Sequence, residues 1–255
     1  WAEDVLQPHA YLYTESLNPA QAGTGLKNPQ DLFEKDGKLY IADMENNRIV
    51  ILTEGGEFVG EITEGLSAPQ GVFVTEDGHV YVADSGNGRI VEFDKNGSYV
   101  REIGRPETEL LTDSQKYTPT KVVVDKAGRI YVIAYGINMG LVEFNEQGEF
   151  QGFLGATKVS VSPFEYIWKN YFSTKAQKER METIIPTEYS NIFVDSSNFI
   201  YATISNLSDE DHLNGADSVR RLNPTGTDVL RRLGNDPIIG DLYQASDDAA
   251  WSMFT

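Results

Sequence analysis

DGHVYVADSGNGR, residues 77–89, decides the fold, because DGKLYIADMENNR at residues 36–48 repeats it. Asp36/Asp77, Tyr40/Tyr81, Asp43/Asp84 and Arg48/Arg89 each lie 41 residues apart. A weaker copy, VVVDKAGRIYVIAYG, starts at Val122, 50 residues after Val72; IFVDSSNFIYATIS starts at Ile192, a further 70 on. Self-similarity at roughly 40 residues, built from short alternating strands, marks a propeller or a solenoid.

Each repeat divides into four strands. In the second repeat they fall at residues 71–75, 80–83, 90–94 and 99–103, with turns at Glu76-Asp77-Gly78 and Lys95-Asn96-Gly97. Asp-Gly and Asn-Gly supply the positive φ angles that tight hairpins need. The third strand recurs at 49–53, 141–145 and 219–223, and the fourth at 58–62, 150–154 and 229–233. Four-stranded units of about 40 residues are propeller blades, so the expected fold is an all-β β-propeller with four complete blades.

The cassette resembles the NHL-repeat family of β-propellers. The resemblance rests on Pro29, Asp36-Gly37, Tyr40-Ile41-Ala42-Asp43 and Asn47-Arg48-Ile49, and on Pro69, Asp77-Gly78, Tyr81-Val82-Ala83-Asp84 and Gly88-Arg89-Ile90. It covers residues 27–235 and weakens along the chain. The third repeat has Ala134-Tyr135-Gly136 where the first two have Ala-Asp, and its Arg is gone too. The fourth keeps Asp195, Tyr201 and Arg220-Arg221-Leu222 but loses the Asp/Arg pair. The resemblance implies a bacterial, extracytoplasmic propeller, of a kind some of whose members look like partners of carbohydrate uptake systems.

Rings of this kind usually close with five to eight blades. Ala10 to Thr14 alternates like an outer strand without a blade of its own, and Trp251 to Thr255 reads as the start of a fifth inner strand. The expectation is therefore one propeller domain over 1–255 that continues past Thr255 towards six blades. Residues 157–185 break the β pattern. Ser162 is placed to N-cap a helix with Pro163 at N1 and Glu165 at N3, so a helical insertion between blades three and four is expected.

Composition narrows the function. With 21 Lys and Arg against 39 Asp and Glu, the net charge is −18, a field that repels phosphate backbones and argues against nucleic acid. No apolar run reaches the length of a membrane span. There is no cysteine, which removes disulfides, thiolate metal sites and cysteine nucleophiles. His9, His79 and His212 lack metal-ligand spacing, and neither a nucleophile elbow nor a P-loop occurs. No cofactor is expected, and the chain is expected to be a monomer.

Blade topology locates a site. The a–b and c–d turns share one face and are all short; the b–c loops and the links between blades share the other. The long segments, at 105–115, 156–185 and 206–217, all fall on that second face, and function concentrates on loops carried by a rigid scaffold. At its rim the first residues of the inner strands keep an apolar frame, Leu32, Val72, Val122 and Ile192. Just ahead of it they vary, as Asp31, Gly71, Lys121 and Asn191. Polar residues that break a repeat are candidate ligand contacts, against the plainer alternative of channel residues solvated by water.

Tyr189, just ahead of the fourth rim, and Tyr135 and Asn138, in the aberrant third blade, are further candidate ligand contacts. Trp168 and Tyr171, in the insertion, could stack on sugar rings or pin the insertion to the ring. The repeated Asp43/Arg48 and Asp84/Arg89 pairs are read as ties across their own b–c loops. The reading is a non-enzymatic extracytoplasmic binding module for a glycan or a partner protein. The alternative is a metal-dependent lactonase-like, esterase-like or lyase propeller enzyme.

Overall fold

Tight two-strand pairing follows each of the turn signals. In the computed structural model, which describes residues 25–111, 116–137, 139–155, 189–205 and 218–230, the strands form successive antiparallel sheets. Blade one is β1 (Pro29–Lys35), β2 (Lys38–Asp43), β3 (Arg48–Thr53) and β4 (Phe58–Ile62), hydrogen-bonded in that order. Blade two is β5 (Pro69–Val74), β6 (Val80–Asp84), β7 (Arg89–Phe93) and β8 (Tyr99–Ile103). Blade three is β9 (Thr118–Val124), β10 (Ile130–Tyr135), β11 (Leu141–Phe144) and β12 (Phe150–Leu154). Blade four shows β13 (Asn191–Val194), β14 (Ile200–Thr203) and β15 (Val219–Leu222).

Where the fourth strand of blade four is expected, at 229–233, residues 231–233 lie outside the described residues; at its described end Asp228 forms a bridge with Leu222, and Val229 N bonds Arg221 O at 2.8 Å. The expected helical insertion at 157–185 and the strands at 10–14 and 251–255 lie outside the described residues.

Ladder register aligns the blades residue by residue. Asp31, Gly71, Lys121 and Asn191 pair with Ala42, Ala83, Ile133 and Thr203, and the next frame position follows in each. The turns are less uniform than their dipeptides suggest. Asp36 (φ 51°) and Gly37 (φ 72°) are both left-handed, giving a two-residue type I′ hairpin. In blade two only Gly78 is left-handed, and Thr75 N bonds His79 O across a longer turn. The same holds at Asn96-Gly97.

The core lies between blades, since each sheet buries apolar side chains against its neighbours. All five residues of β6 are buried, because blade two has a neighbour on each side. Val72 is 2% exposed, Val122 3% and Ile192 8%, whereas their blade-one equivalent Leu32 is 57% exposed. Leu32 stands on the flank of blade one away from blade two.

Candidate functional site

The Asp/Arg pairs tie more than their own loops. Arg48 Nε donates to Asp43 Oδ2 at 2.8 Å, and its Nη2 reaches Gly25 O at 2.7 Å. Asp43 Oδ1 accepts from Lys27 N at 2.6 Å. Blade two repeats the device: Arg89 Nε to Asp84 Oδ2 at 2.8 Å, Arg89 Nη2 to Gly65 O at 2.8 Å, and Ser67 N to Asp84 Oδ1 at 2.7 Å. Each pair clamps the link that enters its own blade, and both aspartates are fully buried. A buried carboxylate that collects backbone and guanidinium donors is a structural tie.

Blade four performs the same task with other residues. Tyr189 is buried, and its hydroxyl donates to Gly155 O at 2.6 Å; Arg220 Nη1 lies 3.3 Å from the same oxygen. Burial pushes the Tyr189 phenol above its ordinary range, with Arg220 opposing. Tyr189, one of the candidate contacts, is thus engaged in holding the incoming link.

The rim residues do converge. Asp31, Lys121 and Asn191 line one cavity of about 160 Å³ at the long-link end of the inner strands, with Leu32, Val72, Val122, Ile192 and Phe193 among its walls. Lys121 Nζ donates to Asp31 Oδ1 at 2.5 Å and to Gln30 O at 3.2 Å, and Asp31 Oδ2 accepts from Val72 N at 3.0 Å. Asn191 Oδ1 accepts from Ile192 N at 3.0 Å.

The ion pair joins blade one to blade three across blade two, and Gly71 makes room for it. A Cβ at Gly71 would stand 2.6 Å from Thr120 O and 2.9 Å from Lys121 Cα. Tyr135, 74% exposed, closes β10 on the same face. Asn138, Trp168 and Tyr171 lie outside the described residues.

A second, larger concavity of about 1470 Å³ opens at the opposite end, among the hairpin turns. Its polar wall in blade two is a chain of paired groups. His79 Nδ1 lies 2.7 Å from Glu92 Oε1, Arg101 Nε donates to Glu92 Oε2 at 2.5 Å, and Arg101 Nη1 donates to Glu146 O of blade three at 2.7 Å. Burial pushes the neighbouring Tyr81 phenol up to about 12, with Arg101 opposing.

Sequence reading had set His79 aside and did not single out Glu92 or Arg101. The signal was present: Glu92 and Arg101 pair in blade two at the positions that Ile51 and Gly60 hold in blade one. These too are repeat-breaking polar positions, on the third and fourth strands rather than the first. Among the described residues no group of three His, Cys, Asp or Glu is arranged to hold a metal ion. No described helix is long and apolar enough to cross a membrane.

The fold is that of a β-propeller built from four-stranded blades. A family model described as NHL repeat matches residues 66–93, the link and first three strands of blade two, and the blade architecture agrees with the resemblance to NHL-repeat β-propellers. No curated protein matches the sequence. Among solved structures it is similar to a streptogramin B lyase, at 16% identity and a TM-score of 0.50, over 78% of this chain and 52% of that one. It is also similar to a catalytically inactive virginiamycin B lyase from Staphylococcus aureus with quinupristin, at 14% identity and a TM-score of 0.51, over 81% and 57%. A Bacteroides caccae protein of unknown function aligns at 15% identity and a TM-score of 0.49, over 79% and 65%. The chain spans little more than half the length of the two lyases, and at these identities the likeness concerns the fold alone.

Proposed function

We propose that this chain is a non-enzymatic binding module that works outside the cytoplasm and engages a glycan or a partner protein on its long-link face, as part of a ring of six blades. One observation carries the reading. Repeat-breaking polar residues from three different blades, Asp31, Lys121 and Asn191, meet in one cavity on the face that also presents Tyr135. A scaffold that repeats its apolar frame and varies polar residues that converge on one cavity supports specificity there. Amphipathic Tyr135 supplies contact area beside it at small entropic cost.

The test combines a glycan array with affinity capture using the purified chain, followed by Tyr135→Ala. The expected result is binding that Tyr135→Ala weakens without changing the melting temperature. Absence of any glycan or protein ligand would overturn the reading. So would a bound divalent metal found by elemental analysis together with lactonase, esterase or lyase turnover, which would favour the enzyme.

A further inference from the structure

The cavity at the long-link end says what kind of group it would take. This inference rests on the binding reading above and gives its ligand a chemistry. Hydrogen-bond capacity in the cavity is unequally used. Both oxygens of Asp31 are engaged, Oδ1 by Lys121 and Oδ2 by Val72 N. Lys121 uses two of its three ammonium hydrogens, on Asp31 and on Gln30 O. The Asn191 carbonyl oxygen is engaged by Ile192 N, while its amide NH₂ meets no acceptor among the described residues. Each of these oxygens already has a donor, whereas the third Lys121 hydrogen and the Asn191 NH₂ have no acceptor among the described residues, so the group that satisfies the cavity's unpartnered atoms is an acceptor.

Two further properties narrow it. At about 160 Å³ the cavity is smaller than sites that enclose a whole small molecule, and larger than one or two waters need. It fits a substituent of a few heavy atoms. The remaining wall is apolar, from Leu32, Val72, Val122, Ile192 and Phe193, so the substituent gains by carrying a methyl group. Charge excludes a carboxylate: Asp31 already balances Lys121, and a second anion would enter uncompensated in a chain of net charge −18. A bare hydroxyl would find donors but offer nothing to the apolar wall.

We propose that this cavity is a subsite for the acetamido group of an N-acetylated sugar. The carbonyl oxygen accepts from Lys121 Nζ and Asn191 Nδ2, the methyl lies against the apolar wall, and the sugar ring stays outside on the face that carries Tyr135.

Ligand-observed NMR titrations with N-acetylglucosamine, glucose and glucuronate test this. N-acetylglucosamine should bind at least about tenfold more tightly than glucose or glucuronate, and Asn191→Ala should weaken it about fivefold, the worth of one hydrogen bond. Lys121→Met should weaken it at least as much. Should that variant unfold, exposed Asn191 still decides the matter.

Equal binding of glucose, preference for glucuronate, no binding of N-acetylglucosamine, or an unchanged affinity in Asn191→Ala would each overturn the subsite. Glycans without acetyl groups that bind in a Tyr135-dependent way would sink the subsite and leave the broader binding reading standing. Failure of every glycan and protein ligand would remove both.

Discussion

Lys121 of β9 pairs with Asp31 of β1 at 2.5 Å, so an ion pair spans blade one to blade three in front of the inner strand of blade two. Both side chains are more than four-fifths buried. Breaking a buried pair by removing one partner costs more than the pair is worth, because the other charge is left behind. Asp31→Ala should destabilise the protein by about 2–4 kcal/mol, since it also strands the Val72 N–H. The double variant with Lys121→Met should be less destabilised than the sum of the singles, with a coupling of about 1–3 kcal/mol in urea unfolding. Strict additivity would mean that the two side chains do not interact in solution.

Gly71 allows that crossing. A methyl group there would meet the backbone of Thr120 and Lys121, neither of which can rotate away. Gly71→Ala should cost about 1–3 kcal/mol, the range for overpacking. Gly60→Ala is the control: a Cβ at Gly60 meets nothing within 4 Å, and its effect should stay within about 0.5 kcal/mol. Thermal melts of the two variants check this directly. A Gly71→Ala protein as stable as the wild type would contradict the close approach.

The clamp of blade two makes a local prediction. Asp84→Ala leaves Arg89, Asn87 and Ser67 N without their shared acceptor. A loss of about 3–5 kcal/mol is expected. Hydrogen exchange should accelerate first at residues 65–67, in the link, ahead of the strands of blade two. Uniform acceleration over the blade would show that the aspartate supports the sheet and not the link.

Glu143 gives the protein a pH signature. Burial raises its carboxyl above the usual glutamate range; Arg129 pulls it down and Asp125 pushes it up. A raised folded-state pKa means the native chain holds this proton more tightly than the unfolded chain. The ionised group therefore costs stability at neutral pH, and the cost disappears as pH falls through the native value towards the unfolded one near 4.3. Glu143→Gln should raise the melting temperature at pH 7, and the advantage should fade on acidification. An advantage that grows on acidification would refute the assignment.

Most of the architecture was legible because its signals are periodic. The fourth strands of blades one to three stand at 58–62, 99–103 and 150–154, where Gly-containing turns and alternating residues bound them in the sequence. Of the fourth strand expected in blade four at 229–233, only residues 229 and 230 are described, and Val229 N there bonds Arg221 O of the neighbouring strand. The rim residues were legible too, since Asp31, Lys121 and Asn191 interrupt an apolar frame. That Lys121 would pair with Asp31 was not, because the contact spans 90 residues and depends on the absence of a side chain at Gly71. Nor did the sequence reveal that Tyr189 would spend its hydroxyl on Gly155, an interaction that exists only once two blades are side by side.

The clamps on Gly25 and Gly65 alter what counts as one piece of this molecule. A sheet cut out at its strand ends would leave its arginine and aspartate facing solvent and would abandon the segment they hold. The segment that can be moved, duplicated or deleted intact starts about four residues ahead of the first strand, at the glycine whose carbonyl the arginine grips. Grafting between propellers should therefore be cut there: a segment beginning at Gly65 carries its own fastening into a new ring, whereas one beginning at Pro69 arrives without it.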